Sequence, residues 1–162
     1  MRNNKVLFLT QAAMIAAIYV VLTVFFAPFS FGQVQVRISE ALTILPFFTP
    51  AAIPGVTLGC LVGNAIGGAI VPDIVFGSFA TLLGAIFTYL LRKKSEYLAP
   101  LPPIISNTII VPFVLRHAYG VPLPIPFMML TVGIGEVISC GVIGMVLLRT
   151  LKKYRYRIFK NA

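Results

Sequence analysis

Long apolar runs alternate along the chain with short breaks rich in proline, glycine or basic residues. The first run, 6–27, is close to the ~20 residues that carry a helix across ~30 Å of hydrocarbon. Pro28 ends it, and FSFGQVQVRISE (29–40) mixes polar and apolar positions, which predicts a structured loop. Residues 41–53 are apolar but short and carry Pro46 and Pro50, with Pro54 just beyond; 55–71 is a further apolar run. Two helices joined by the turn TPAAIPG are predicted there, with one kinked helix as the alternative. Pro72-Asp73 predicts a turn. The span 74–91 is closed by RKKSEY, 98–118 is entered through Pro100, Pro102 and Pro103, and GVPLPIP separates it from 127–148.

Composition identifies the solvent. Of 162 residues, 59% are hydrophobic and 10% charged, against about 25% charged in an ordinary soluble domain. A single membrane domain is expected, with lipid as its medium. The first run is too long for a typical signal peptide and no A-x-A-like site follows it, so it reads as a retained helix.

The net charge of +9 raises nucleic acid as a partner, but its distribution argues against one. Arg2 and Lys5 precede the first run, Arg92, Lys93 and Lys94 share one break, and six more Lys or Arg crowd the C-terminal end, leaving only Arg37 and Arg116. Lys and Arg accumulate in cytoplasmic loops. The three clusters then share a side, and the crossings between them are even in number. That favours two crossings within 41–71, a six-transmembrane-helix all-α bundle, and both termini in the cytoplasm. Arg37 and Arg116 fall at the outer face.

Gly55, Gly59, Gly63 and Gly67 recur every fourth residue and form one stripe, which predicts close helix packing. Ala12, Ala13, Ala16 and Ala17 make two overlapping small-residue pairs in the first span. They suit packing inside the bundle or a docking face for another membrane protein. Cys60 and Cys140 sit in apolar segments without a CxxC spacing or a nearby histidine, and read as small packing residues.

Polar groups inside lipid are costly and are therefore functional candidates. Glu136 lies mid-span in TVGIGEVISCG, Asn107 mid-span in ISNTIIVP, and Asn64 beside the glycine stripe. Glu40 and Arg37 are expected in the outer loop and Asp73 in the outer turn, where it could cap the helix that follows. Asn64 reads first as a helix–helix hydrogen bond, and Glu136 either contacts a ligand or pairs with an arginine. His117, the only histidine, makes a poor metal site, and no metal, cofactor or catalytic set is expected. Phe25, Phe26, Phe29 and Phe31 cluster where the first span meets its loop. Apolar walls with a few placed polar groups describe a small-molecule pocket. Its carboxylates favour a cationic or amide-like ligand. With no ATPase motif, uptake would need a partner that supplies energy.

The runs VRISEALTILPFFTPAAIPG (36–55), PDIVFGSFATLLGAIFTYLLR (72–92), LAPLPPIISNTIIVPF (98–113) and VGIGEVISCGVIG (132–144) resemble the QueT family of substrate-binding S components of energy-coupling factor (ECF) transporters. The resemblance implies six helices, a pocket near the outer face, and import of a queuosine precursor, 7-aminomethyl-7-deazaguanine or queuine. It implies as partners a transmembrane coupling protein and two cytoplasmic ATPases, with Ala12, Ala13, Ala16 and Ala17 as the docking stripe. On this basis Glu136 and Asn107 would read the base edge. Glu40 or Asp73 would meet the amine or close the loop, Arg37 would lock Glu40, and Asn64 would line the site. An S component for another vitamin, or a small proton-coupled transporter using Glu136, remain the alternatives.

Overall fold

The structure is a computed structural model and describes residues 4–26 and 36–158, with side chains through Tyr154. Arg2, Pro28, residues 29–35 of the expected loop with Phe29 and Phe31, and Lys160, which figured in the sequence expectations, lie outside the described residues. All regular elements among the described residues are helical, since in lipid a helix satisfies its own backbone polar groups. They are α1 (Asn4–Phe25), the 3-10 helix α2 (Ile38–Phe47), α3 (Ala52–Ile66), α4 (Val71–Leu91), a 3-10 turn at Glu96–Leu98, and α5 (Leu101–His117). The last helix, α6, joins Ile125–Glu136, a π-helical stretch Val137–Ile143 and Gly144–Ile158.

Among the described residues, Asn4–Phe25, Val71–Leu91, Glu96–His117 and Ile125–Tyr154 are long and apolar enough to cross a membrane. Helices α2 and α3 are shorter. Sequence and structure differ most at α2. It begins at Ile38 rather than 41, so Ser39 and Glu40 leave the expected loop and enter the bundle, and it ends before Phe48. Pro72 opens α4 from within its first turn instead of forming a separate turn. Proline suits that position because the N–H it lacks would be unbonded there anyway.

The glycine stripe packs on α1. A Cβ at Gly59 would lie 2.6 Å from Cβ of Tyr19, and one at Gly55 would lie 3.0 Å from the Ala12 carbonyl. Gly63 faces Thr23, so α1 and α3 run side by side in the same direction. Helix α4 returns along α3, with Gly77 opposite Asn64. Helix α5 reverses again, with Gly84 against the backbone of Pro103 and the Thr88 hydroxyl donating to the Ala99 carbonyl at 2.9 Å.

Helix α2 is the centre of the molecule. Every residue from Ser39 to Pro46 is buried, and Ile44, Leu42 and Leu45 join Tyr19, Val56 and Leu148 in the core. A 3-10 helix rarely runs this long; here α1, α3, α4 and α6 surround it. The basic break after α4 and the charged stretch of α6 meet at one end, where Lys152 Nζ lies 2.5 Å from Glu96 Oε2.

Candidate functional site

Four helices bring polar side chains to the inside of the bundle. Tyr19 on α1, 1% exposed, donates its phenol hydrogen to Oε1 of Glu40 on α2, itself 1% exposed. Asn107 Nδ2 on α5 donates to Oε1 of Glu136 on α6 at 3.0 Å. The Cys140 thiol reaches the other Glu136 oxygen, Oε2, and the Glu40 carbonyl, both at 3.3 Å. Thr43 donates to that same carbonyl at 2.6 Å. Donor atoms of Glu40, Glu136 and Cys140 all fall within 4.8 Å of one another. Oε2 of Glu40 is buried and has no hydrogen-bond partner.

The π-helical stretch explains part of this arrangement. It starts at Val137, directly after Glu136, and contains Ser139 and Cys140, both buried. Such wide turns recur at functional sites. Here the widened turn sits where Glu136 and Cys140 face α2.

A second group lies toward the opposite end from the Lys152–Glu96 pair. Arg37 Nη1 donates to Asn64 Oδ1 at 3.2 Å, and Arg37 Nη2 lies 3.7 Å from Asp73 Oδ2. Tyr119, in the connection after α5, donates to Asp73 Oδ2 at 3.0 Å and accepts from the Ile70 N–H at 3.4 Å. Burial first, and then the Asp73 charge, push the Tyr119 phenol above its ordinary value. Arg37, Asn64, Asp73 and Tyr119 therefore tie the entry to α2, the end of α3, the start of α4 and the α5–α6 connection.

Each candidate residue can now be placed. Glu136 and Asn107 meet directly, and Glu40 joins them from inside the bundle rather than from a loop. Asn64 bonds across elements, with an arginine as its partner. Glu136 is held by Asn107 and Cys140 and not by an arginine. The ion pair of Arg37 is with Asp73, at 3.7 Å, while Glu40 lies within electrostatic reach of the same guanidinium. Asp73 makes no cap; its carboxylate is engaged by Arg37 and Tyr119. The alanines divide. Ala12 is buried against α3 and the Ala16 carbonyl abuts Gly59, so both are committed inside the bundle. Ala13 and Ala17 face outward with Met14, Ile18 and Val21.

Sequence reasoning missed three residues. Tyr19 carried one signal, a phenol in the middle of a largely apolar span. Cys140 was read as packing but also bonds to both acidic segments. Tyr119 gave no signal in its loop. His117 is exposed and stacks on Phe113. Both rings line an open apolar groove between α4 and α5, apart from the polar cluster.

The QueT transporter family model matches residues 9–153. A relative named "Queuosine precursor transporter QueT", from Lactococcus lactis subsp. cremoris (strain MG1363), is 34% identical over 101 residues. That match covers 60% of this chain and 59% of the relative, so the chain spans less than two thirds of the relative's length. No solved structure matches. Several apolar helices of spanning length, together with a family match over nearly the whole chain, make this a multi-pass membrane protein that belongs to the QueT transporter family.

Proposed function

We propose that this chain is the substrate-capturing S component of an ECF-type importer for a queuosine precursor, a 7-deazaguanine such as 7-aminomethyl-7-deazaguanine or queuine. It acts as one membrane domain of six crossings with both termini in the cytoplasm. The positive-inside tendency supports that orientation, because the Arg92–Lys94 break and the basic stretch of α6 share one end. The ligand arrives from the opposite end, past Arg37, Asp73 and Tyr119. The name of the matched relative supports a queuosine precursor as the cargo.

The observation that carries the proposal is the Asn107–Glu136 hydrogen bond inside a nearly closed polar cluster. A deazaguanine edge offers adjacent N–H donors beside a carbonyl acceptor. A carboxylate accepts from the donors and an amide N–H donates to the carbonyl. Glu136 and Asn107 supply that pair, and Tyr19 offers a ring for stacking. Energy for release comes from a transmembrane coupling protein with two cytoplasmic ATPases, docked on the outward face of α1 at Ala13 and Ala17.

Mass spectrometry of small molecules retained by the purified chain tests this, followed by calorimetry with 7-aminomethyl-7-deazaguanine. A deazaguanine is expected in the extract, and Glu136→Gln is expected to weaken binding by about 10- to 100-fold, the scale of a lost charge-assisted hydrogen bond. Unchanged affinity in Glu136→Gln removes Glu136 from the base-reading role.

A further inference from the structure

The chain has four acidic residues, and two have basic partners: the recorded ion pairs among the described residues are Arg37–Asp73 and Lys152–Glu96. The other two, Glu40 and Glu136, lie at the centre of the bundle and are 1% and 4% exposed. Their hydrogen-bond donors are neutral, Tyr19 for Glu40, Asn107 and Cys140 for Glu136, and the one cation whose charge reaches both, Arg37, is ion-paired with Asp73. Two like charges sharing a desolvated site are costly, and one guanidinium set against three carboxylates leaves room for a second positive charge. Oε2 of Glu40 is buried and still lacks a hydrogen-bond partner.

We infer that the space between the Glu40 and Glu136 carboxylates receives the ammonium group of the ligand, so that the chain selects cationic, amine-bearing deazapurines over neutral ones of the same ring. This rests on the reading of the polar cluster as the ligand site. An N⁺–H···O⁻ hydrogen bond is about 2.7–2.9 Å long. Two of them from one tetrahedral nitrogen, about 109° apart, set their acceptors about 4.4–4.7 Å from each other. A carboxylate oxygen of Glu40 and one of Glu136 fall within 4.8 Å of each other, which matches that spacing. An ammonium has three N–H donors and no acceptor, so it can satisfy the orphaned Glu40 oxygen while also meeting Glu136. Tyr19 keeps the other Glu40 oxygen in place.

Calorimetry on the purified chain with two probes tests the inference: 7-aminomethyl-7-deazaguanine, cationic at neutral pH, and 7-cyano-7-deazaguanine, uncharged at the same position. The amine is expected to bind about 10- to 100-fold more tightly than the nitrile. Glu40→Gln is expected to remove that preference by weakening the amine alone, with thermal unfolding used to confirm that the variant folds. The comparison of probes on the unaltered chain needs no variant. Equal affinity for the two probes overturns the amine clamp and leaves the site reading standing. Binding of neither probe overturns both. A third titration uses zinc chloride alone. Micromolar binding lost in Glu40→Gln would assign the Glu40, Glu136 and Cys140 donors to a metal ion and overturn the inference.

Discussion

The phenol of Tyr19 donates to Oε1 of Glu40, joining α1 to α2 across 21 residues of chain. The same side chain is pressed against Gly59 of α3. One tyrosine thus fixes the orientation of a buried carboxylate and the spacing of two helices. Tyr19→Phe keeps the ring packing but leaves Oε1 without its donor. It is expected to cost about 1–3 kcal/mol, the penalty for orphaning a buried acceptor. Thermal unfolding in detergent measures it.

The glycines differ in how much they can yield. A methyl at Gly84 would meet the Cα of Pro103 at 2.7 Å, and backbone cannot step aside. A methyl at Gly63 would meet only Thr23 side-chain atoms, at 3.2–3.3 Å. Gly84→Ala is expected to lose about 1–3 kcal/mol through overpacking. Gly63→Ala is expected to lose less. Equal losses in the two variants would contradict this account of the α4–α5 contact.

Asp73 anchors the second polar group through Arg37 and Tyr119. Asp73→Asn removes the carboxylate ion-paired with Arg37 and is expected to cost about 3–5 kcal/mol, the scale of breaking a buried ion pair. Tyr119→Phe removes one neutral donor and is expected to cost about 0.5–1.5 kcal/mol. Chemical denaturation of both variants in the same detergent tests the order.

Tyr119 also predicts a pH response. Burial, and then Asp73, raise its phenol above the ordinary 10.0. With the folded-state value the higher one, its contribution is whole below pH 10 and is lost as pH rises through the folded value. Melting temperature followed from neutral to strongly alkaline pH should fall less steeply in Tyr119→Phe than in the unaltered chain.

The two faces of α1 separate packing from docking. Ala12→Leu enlarges a side chain already buried against α3 and is expected to cost about 1–3 kcal/mol. Ala17 faces outward, so Ala17→Leu is expected to change stability by no more than about 0.5 kcal/mol. It should nonetheless reduce co-purification with the coupling protein. An Ala17→Leu chain that assembles normally would remove this face from the proposed interface.

Much of this could be read in the chain because long apolar runs have one structural use in lipid. Runs 74–91 and 98–118 needed only their length and their breaks. The glycine spacing announced a close helix contact, though not that α1 is its partner. Helix α2 was partly hidden, since Ser39 and Glu40 look like loop residues and Pro46 looks like a break. Tertiary burial overrides both signals: the polar pair faces other polar groups, and the neighbouring helices hold a 3-10 helix that would be short by itself. Partner choice was not legible either. Arg37 stands three residues from Glu40 and 36 from Asp73, and sequence distance pointed to Glu40 while the fold brings Asp73 to ion-pair distance. The widened turn of α6 leaves no compositional trace in VISCGVI.

That widened turn sets the rotational phase of α6. On one side of it Glu136 points at Asn107; on the other Leu148 enters the core and Lys152 meets Glu96. An α-helix rotates about 100° per residue. One residue more or fewer between Cys140 and Gly144 would swing Leu148 and the charged end by that angle relative to Glu136 and Cys140. A single insertion or deletion there would take Leu148 out of the core and part Lys152 from Glu96, so the length of the turn is fixed by both halves of the helix at once.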